Sequence, residues 1–401
     1  MSKVEKDKEV EVLIVGAGPT GLTLANTLML HGISCRIIDK RSVLSALPRA
    51  INIGGPTLEI MKKFGILSKL LEQGLKIETL TLYWQGKRLS NFKTKYFKGE
   101  YPYIFHLEQS YLEKYLTSAS NEVGIIIEKG IELESVQQEK NRVNVKLKKF
   151  DGSIEYKNYS YVVGCDGGQS RVRELLDIPS QHKDYGVYFV LADVKLKRGL
   201  NVGLHYFLTP EGYFILAPLS ETRCRLIASF NGNYPGQESL KINKEYLENL
   251  FKKRSNNSIE IAEISWSASA PFYHRLAHKA KSGRVFLAGD ALHQFSPVGG
   301  TNMNTGIQDA FDLAERLADS IKNKAASDAL GFYESTRLSV AQKILKITEN
   351  ATHLITQDLK IPELEKKFLP QMCNRKFIRE KFPALFSGYA FSNECTDVVN
   401  F

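Results

Sequence analysis

Cysteine is scarce in this sequence and widely spaced. There are five cysteines among 401 residues, and the two nearest, Cys373 and Cys395, are 22 residues apart. No CxxC pair exists, which excludes a zinc knuckle and the usual redox-active disulfide motif, and we expect no metal site. An odd number of separated thiols favours a reducing, cytoplasmic location.

Long apolar runs and targeting signals are also missing. No uncharged apolar run approaches the ~20 residues that a membrane span needs, so we expect no transmembrane segment. Residues 1–10 carry alternating Lys and Glu without an apolar stretch, which is not the pattern of a secretory signal.

The charge of the chain is positive but is not arranged for nucleic acid. The formal net charge is +10, with 54 Lys and Arg against 44 Asp and Glu. Lysines are spread along the chain, and no stripe of Arg with interleaved aromatic residues indicates a nucleic-acid groove. We expect a Lys-rich solvated surface whose field would at most speed the arrival of an anionic ligand. The oligomeric state is left open.

The composition predicts a globular protein with a large core. Hydrophobic residues make up 43% and charged residues 24% of the chain, close to the average for soluble domains. At roughly 150 residues per domain, the length indicates two or three domains. Intrinsic disorder and small disulfide-stapled scaffolds are excluded.

The first chemical signal is a glycine-rich turn between a strand and a helix. Residues 10–15 are mostly Val, Leu and Ile, which predicts a strand buried on both faces. Gly16, Gly18 and Gly21 follow in the pattern GxGxxG, and residues 19–31 predict a helix. Gly16 permits the tight turn, Gly18 leaves room for a pyrophosphate, and Gly21 lets helix and strand approach. The helix N-terminus would present free N–H groups to the anion.

An acidic residue completes this dinucleotide-binding pattern. Asp39 lies 18 residues past Gly21, at the end of a second predicted strand over residues 34–39. A carboxylate there can accept a hydrogen bond from a ribose 2′-hydroxyl and would repel a 2′-phosphate, so the bound dinucleotide should not be NADP. Only one such fingerprint exists. The residues alone therefore leave two alternatives: bound NAD, or bound FAD with a nicotinamide that binds only transiently.

Two later segments distinguish these alternatives. Residues 162–168 predict a buried strand running into Asp166-Gly167, and residues 283–291 predict another ending in Gly289-Asp290. Residues 297–306 then read PVGGTNMNTG and lead into a helix. The order and separation of these segments resemble the three fingerprints of the single-component FAD-dependent aromatic hydroxylases, the p-hydroxybenzoate hydroxylase superfamily. The phenol hydroxylase and polyketide hydroxylase subgroup is the most similar.

The resemblance spans roughly residues 8–390 and implies a mixed α/β fold. A Rossmann-like FAD-binding domain would carry an inserted antiparallel-sheet domain for the substrate and end in C-terminal helices. The implied boundaries are residues 1–74, 106–177 and 278–320 for the FAD-binding domain, 75–105 and 178–277 for the sheet domain, and 321–401 for the C-terminal helical segment. The residue pattern itself predicts a mainly antiparallel sheet over residues 186–271 and helices over residues 306–321 and 325–357.

The resemblance also assigns residues to FAD. Asp39 would bind the adenosine ribose, Gln109 would lie near the ribityl chain, and Asp290 would contact that chain. Asp166 is linked in the family to interaction with FAD and NAD(P)H. The complete set of cofactor-binding candidates is Gly16, Gly18, Pro19, Thr20, Gly21, Asp39, Lys40, Arg49, Gln109, Asp166, Asp290, Pro297, Gly300, Asn302, Met303 and Asn304.

The loop before the last long helix would hold the flavin ring. Pro297 matches the proline beside the isoalloxazine, and residues 299–304 would offer backbone N–H groups to the pyrimidine ring. Such donors stabilise negative charge on a reduced flavin. No protein residue is assigned as catalytic, and Pro297 and Arg225 are the candidates on the flavin side. His293, which follows the Gly-Asp motif, is expected to be a structural histidine.

The substrate candidates lie on predicted strands that would roof the flavin. Alternation places Ala217 and Leu219 on one face, and Arg225 and Ile227 on one face of the next strand. Tyr206 joins them by resemblance to the hydroxylases. Plain packing of the sheet is the alternative. Since Ala217 and Leu219 are apolar, a large phenolic substrate fits better than a small benzoate held by arginine.

The function that the resemblance implies is monooxygenation. FAD would be reduced by NAD(P)H, a transient co-substrate, and would react with O₂ to form a C4a-hydroperoxide that hydroxylates an aromatic, phenolic or polyketide-like ring. One alternative is a flavin-dependent reductase of the geranylgeranyl-reductase type, which would consume a nicotinamide without incorporating oxygen. A second is a flavin-binding protein with little catalysis.

The sequence departs from the family pattern in two places. Asn302 stands where the loop usually carries glycine, and we expect the loop to be kept because Asn tolerates positive φ best among non-glycine residues. Members of the phenol hydroxylase subgroup continue into a thioredoxin-like C-terminal domain. This chain ends at Phe401, about where that domain would begin.

Overall fold

The computed structural model describes residues 10–43, 50–96, 99–199, 202–232, 235–236, 240–295, 299–323, 327–356 and 388–389. Arg49 and Pro297, two of the predicted cofactor contacts, lie outside these residues. Among the described helices, none combines the length and the apolar character that a membrane crossing requires.

The described residues form twenty strands and eight α-helices. In chain order the strands are β1 (Val12–Val15), β2 (Cys35–Asp39), β3 (Asn52–Ile53), β4 (Leu75–Ile77), β5 (Thr79–Trp84), β6 (Lys87–Lys93), β7 (Ile104–His106), β8 (Ile127–Lys129), β9 (Ile131–Gln138), β10 (Val143–Lys149), β11 (Ile154–Tyr159), β12 (Tyr161–Gly164), β13 (Ser180–Leu196), β14 (Leu204–Thr209), β15 (Gly212–Pro218), β16 (Arg223–Asn231), β17 (Ile261–Ala277), β18 (Lys281–Ser282), β19 (Val285–Leu287) and β20 (His293–Gln294). The helices are α1 (Pro19–Leu30), α2 (Gly55–Lys63), α3 (Leu67–Gln73), α4 (Gln109–Glu122), α5 (Arg171–Leu175), α6 (Lys244–Ser255), α7 (Asn302–Asn323) and α8 (Ser327–Thr356).

A six-stranded sheet brings the predicted motifs to one edge. Its order is β18-β19-β12-β1-β2-β8, and all neighbouring pairs from β19 to β8 are parallel. The predicted strands β1, β12 and β19 are confirmed, and nearly all their positions are buried, as in strands covered on both faces. Because parallel strands end on the same side of a sheet, the turns carrying Gly16, Asp166 and Asp290 are neighbours.

Helix α1 packs closely on this sheet and against α4 and α7. A Cβ atom added at Gly21 would lie 1.9 Å from the carbonyl oxygen of Gly16, so only glycine allows the helix to sit so near the turn. This is the packing role predicted for Gly21. On the other side of α1, the Asn26 amide donates hydrogen bonds to Leu116 O and Ser120 Oγ, at 3.1 and 2.9 Å, which fix α4.

An eight-stranded sheet has the order β20-β17-β13-β16-β15-β14-β5-β6. Its pairs are antiparallel except for β5 and β14, so the mainly antiparallel sheet predicted for residues 186–271 is confirmed. Alternation along the strands gives it two apolar faces. Phe207 and Phe214 pack with Phe251 of α6 on one face, while Tyr206 and Ile215 belong to the cluster on the other. The face that carries Tyr206 forms the wall of the cavity described below.

A buried charged cluster joins α7, α8 and the Gly-Asp turn. The carboxylate of Asp309 in α7 accepts hydrogen bonds from His293 Nε2 at 2.6 Å, Gly289 N at 3.0 Å and Arg337 Nε of α8 at 2.5 Å. Asp309 and His293 are 0% exposed and Arg337 is 1% exposed. This burial and hydrogen bonding agree with the structural role expected for His293.

Candidate functional site

A continuous cavity of about 600 Å³ lies between the edge of the parallel sheet and the eight-stranded sheet. The turns after β1, β12 and β19 line one end, and residues of β7, β14, β15 and β16 line the other. Most of the predicted site residues contribute to this lining. They are Gly16, Gly18, Pro19, Thr20, Asp39, Lys40, Gln109, Asp166, Asp290, Gly300, Asn302, Met303, Tyr206, Ala217, Arg225 and Ile227.

Three predicted site residues do not line the cavity. Gly21 lies under α1, where it serves the packing described above. Leu219 is partly buried beyond the end of β15 and packs on the apolar cluster of the sheet. Asn304 is turned away and its side chain makes four hydrogen bonds, accepting from Gly54 N and Thr57 Oγ1 and donating to Asn52 O and Gly300 O. The side chain of Asn304 therefore fastens the loop, and its backbone contact with a cofactor stays a prediction.

The glycine turn leaves space in front of α1. Gly16 has φ +105°, and a Cβ atom there would lie 2.4 Å from Cys165 O, so the turn requires glycine. Gly18 is the N-cap of α1, and a Cβ atom built on it meets no protein atom within 4 Å. No side chain among the described residues caps this helix end. The first N–H groups of a twelve-residue helix therefore face the cavity with room for an anionic group.

Asp39 is already engaged by a neighbouring arginine. Its carboxylate accepts from Arg41 N and Nε at 2.8 and 2.9 Å, from Arg41 Nη2 at 2.7 Å and from Ala17 N at 2.9 Å. Burial alone would raise the pKa of Asp39, but these donors outweigh it and hold the pKa below its ordinary value. Asp39 thus fastens the glycine turn through Ala17. Its contact with a ribose stays a prediction, and Arg41, which the sequence analysis missed, also lines the cavity.

Gln109 connects α4 to the segment before β3. Its Oε1 accepts from Ala50 N at 3.2 Å, and its Nε2 donates to Glu113 Oε1 at 2.7 Å. Glu113 is one turn further along α4, only 4% exposed, and lines the cavity beside Gln109. The sequence analysis did not find Glu113, although its position four residues after Gln109 places both side chains on one face of the helix.

The two acids after β12 and β19 have different surroundings. Asp166 accepts from Ser170 Oγ at 2.5 Å and from Val172 N at 3.1 Å, so it holds the start of α5, and burial raises its pKa. Asp290 lies in the short turn Gly289–Ala291, half-buried, with Gln294 Nε2 at 3.4 Å from its Oδ2. Both acids line the cavity.

Asn302 closes the loop that leads into α7. Its Oδ1 accepts from Phe295 N and its Nδ2 donates to Phe295 O, both at 2.7 Å, so one side chain satisfies two backbone groups across the loop. The expectation that Asn302 would occupy positive φ is wrong, because it is the first residue of α7 and positive φ falls on Gly299 (86°) and Gly300 (62°). Helix α7 also begins earlier than residue 306. Asn302, which departs from the family pattern, therefore stabilises the loop through these two hydrogen bonds.

The other end of the cavity is mostly apolar. The residues that share this end are Ile104, His106, Leu191, Leu204, Tyr206, Ile215, Ala217, Arg225 and Ile227. Arg225 is 1% exposed and forms a bidentate pair with Asp193, from Nε to Oδ1 at 2.7 Å and from Nη2 to Oδ2 at 2.8 Å. The register of β13 and β16 places these two residues directly opposite each other. Burial raises the pKa of Tyr206, which keeps its hydroxyl protonated at neutral pH.

His106 is a cavity residue that sequence reasoning missed. It ends β7, is 3% exposed, and its Nδ1 lies 2.9 Å from Pro218 O. Burial lowers the pKa of His106 to about 4, and the nearby charge of Arg225 acts in the same direction. A signal was present, since this histidine lies three residues before Gln109 in an otherwise apolar strand.

A glycine turn, a helix N-terminus and an acid at the edge of a parallel sheet define a dinucleotide-binding protein. Residues 9–348 match the family described as FAD binding domain, and the chain belongs to that family. The resemblance stated from the sequence is thereby confirmed, and FAD is the cofactor of the family. The open space at Gly18 and the N–H groups of α1 fit a diphosphate, and the cavity continues past Asp290 to the start of α7.

Two curated relatives have aromatic or polyketide substrates in their names. The 6-methylpretetramide 4-monooxygenase of Streptomyces rimosus is 31% identical over 352 residues, which are 86% of this chain and 62% of the relative. The pentachlorophenol 4-monooxygenase of Sphingobium chlorophenolicum is 31% identical over 355 residues, 86% of this chain and 65% of the relative. The chain thus spans a little under two-thirds of the length of these relatives.

Solved structures share the fold. An anhydrotetracycline hydroxylase from Streptomyces rimosus has a TM-score of 0.78 at 26% identity, covering 95% of this chain and 76% of that chain. A p-nitrophenol 4-monooxygenase from Pseudomonas putida DLL-E4 has a TM-score of 0.80 at 20% identity, covering 94% of this chain and 98% of that chain. The second likeness concerns the fold alone. The mixed α/β fold expected from the sequence is confirmed.

Proposed function

We propose that this chain is an FAD-dependent monooxygenase that hydroxylates an aromatic, phenolic or polyketide-like substrate with NAD(P)H and O₂. The observation that carries the proposal is the continuity of the cavity, which runs from the glycine turn to an apolar chamber under the eight-stranded sheet. The names of the relatives favour a monooxygenase over a reductase. The proposal includes the domain division given above, with the two sheets as the cores of the cofactor and substrate parts.

The residues of the chain hold and surround the cofactor. When bound, FAD supplies acceptance of a hydride from a nicotinamide and activation of O₂. The N-terminus of α1 would bind the diphosphate, and Asp290 would accept a hydrogen bond from a ribityl hydroxyl. The N-terminal N–H groups of α7, which begins at Asn302, would stabilise negative charge on the ring.

The chamber wall orients the substrate and excludes water. Ile215, Ala217 and Ile227 present apolar surface to the cavity from adjacent strands, whose register keeps them side by side. An apolar wall lowers the local dielectric constant and protects a reactive centre from hydrolysis. Among the described residues we find no second dinucleotide-binding glycine turn, so NAD(P)H is proposed to visit the cofactor transiently.

Purified protein is expected to be yellow and to hold about one FAD per chain. The reason is that the sequence has one GxGxxG fingerprint and that its turn opens into the continuous cavity described above. The check is the absorbance spectrum after FAD addition and removal of free cofactor, followed by assays of NAD(P)H oxidation over a panel of phenols. A colourless protein, or a preference for NAD over FAD in calorimetry, would contradict the cofactor. NAD(P)H oxidation without a hydroxylated product would contradict the monooxygenase.

Asp290→Asn is expected to weaken FAD binding by about 10- to 100-fold, because a hydrogen bond to a charged group contributes roughly 1.5–3 kcal/mol. The free energy of unfolding of the FAD-free protein should change little, since Asp290 is only half-buried and Asn keeps the size of the side chain. His293→Ala should lower the free energy of unfolding and change FAD affinity little, because His293 is fully buried and hydrogen-bonded to Asp309. Calorimetric titration with FAD measures the affinity, and urea unfolding measures the free energy of unfolding. Equal losses of FAD affinity in the two variants would refute this assignment.

A further inference from the structure

The apolar end of the cavity contains few polar side chains. Among the described residues that line it, His106, Tyr206 and Arg225 carry polar side chains, and their neighbours are aliphatic. A ligand that fills this end must satisfy its own polar groups with these three. The hydrogen-bonding state of each therefore decides what kind of ligand fits.

The tautomer of His106 is set by the backbone. Its Nδ1 lies 2.9 Å from Pro218 O, and a carbonyl oxygen can only accept, so Nδ1 carries the hydrogen. The low pKa of His106, about 4, keeps the ring neutral at neutral pH. In a neutral ring with Nδ1 protonated, Nε2 is an acceptor. None of the described residues donates a hydrogen bond to Nε2.

The charge of Arg225 is matched within the protein. Its guanidinium is held in two hydrogen bonds by Asp193, and the two residues are each 1% exposed. A carboxylate ligand would bring a second negative charge to a buried site where the first already balances the arginine. Burying such a charge without a partner is costly, so this end of the cavity disfavours benzoate-like ligands.

A second positive charge is equally disfavoured. Protonation of His106 would place an imidazolium near Arg225, which opposes it, and would remove the acceptor at Nε2. The ring is thus suited to receive a hydrogen bond rather than to store a proton. A neutral hydroxyl group supplies such a donor without adding charge.

We propose that His106 Nε2 accepts a hydrogen bond from the ring hydroxyl of an un-ionised phenol and thereby selects phenols over aryl carboxylates and aryl methyl ethers. The inference rests on the proposed function, because it assigns the substrate class of the same cavity. His106 acts here as a residue that binds and positions the substrate. The Nδ1 hydrogen of the buried ring is already satisfied by the carbonyl oxygen of Pro218.

The test compares three ligands of the same ring size on the FAD-loaded protein. The probes are 2-naphthol, 2-methoxynaphthalene and 2-naphthoate at neutral pH, with binding followed by calorimetry and by perturbation of flavin absorbance. Wild-type protein should bind 2-naphthol about tenfold more tightly than either analogue, since a buried acceptor left without its donor loses about that much. His106→Leu should abolish the preference, and His106→Gln, whose amide oxygen can accept, should restore part of it.

His205→Leu is the matched control. His205 is the neighbour of Tyr206 on β14 but points to the opposite side of the strand, where its Nδ1 lies 3.3 Å from Tyr83 Oη. It does not line the cavity, so the preference for 2-naphthol should survive in this variant. Loss of the preference in His205→Leu would mean that general damage to the sheet, not the acceptor at His106, explains the result.

The outcomes separate this inference from the proposed function. Equal binding of the three probes by wild-type protein, no binding of 2-naphthol, or an unchanged preference in His106→Leu would each overturn the inference. If the wild type and His106→Leu hydroxylate phenols with equal KM, the inference about His106 is overturned, but the proposed monooxygenase function is supported. Selective binding of 2-naphthol through His106, without hydroxylation of any phenol, would support the inference and contradict the proposed function.

Discussion

Gly18→Leu is expected to abolish practical FAD binding while leaving the fold intact. Gly18 has φ −79° and ψ −176°, an extended conformation open to any residue, and a Cβ atom there meets no protein atom within 4 Å. The added side chain would occupy the space in front of α1 where the diphosphate must approach the backbone. Loss of those charged hydrogen bonds should reduce FAD affinity by about 100-fold or more.

Fluorescence titration of the FAD-free protein with FAD, together with its thermal unfolding, measures this effect. Gly331→Leu in α8 is the matched control, because a Cβ atom at that exposed glycine also meets nothing within 4 Å, but Gly331 does not line the cavity. Gly331→Leu should bind FAD as the wild type does. Undiminished FAD affinity in Gly18→Leu would show that the diphosphate binds elsewhere.

Asp309→Asn is expected to lower the free energy of unfolding by about 3–5 kcal/mol at neutral pH, the usual cost of removing one partner from a buried charge cluster. The carboxylate satisfies His293, Gly289 N and Arg337 together, and Arg337 would be left with uncompensated charge. Urea unfolding followed by circular dichroism gives the difference. Asp312→Asn, three residues along α7 in a partly exposed pair with Arg316, should cost at most about 1 kcal/mol.

The pH dependence of this difference has a defined sign. Burial opposes ionisation of Asp309, but the charge of Arg337 and the hydrogen bonds from His293 and Gly289 outweigh it and lower its pKa to about 2. A carboxyl whose pKa falls on folding stabilises the protein above its unfolded pKa of about 3.9 and loses that contribution as pH falls towards 2. The difference in the free energy of unfolding between wild type and Asp309→Asn should therefore become smaller below about pH 4. A gap that widens there would be inconsistent with an ionised Asp309.

The sequence predicted the parts of the cofactor end that depend on short segments. Residues 12–15, 161–164 and 285–287 are largely apolar strands followed, directly or after one residue, by glycine or aspartate. A strand of this type must be buried on both faces, so it belongs in a parallel sheet, and parallel strands end on one side. Gly16 and Gly18 could likewise be assigned roles, because the need for a tight turn and an open helix end is local.

Other features could not be read from spacing. Asp39 is 22 residues from Ala17 yet shares a hydrogen bond with it, and Arg41 turns back onto the same carboxylate. The sequence offers no sign that this acid is already satisfied. The loop at Asn302 was expected to be kept because Asn tolerates positive φ, but the stabilising feature is the pairing of its amide with the backbone of Phe295, a contact that depends on how the loop folds back.

By itself, the sequence determined the parallel strands, the glycine turn and the antiparallel alternation, and hence that a dinucleotide binds, since each follows from local sterics and from the burial that a segment requires. The choice of FAD came from the resemblance to a family. Only the tertiary structure decided the chemistry of the chamber. Pro218 sets the tautomer of His106 from 112 residues away, and Asp193 cancels the charge of Arg225 across two strands. Hydrogen bonds and ion pairs depend on which side chains meet when distant segments pack, and a pattern of residues along the chain does not contain that geometry.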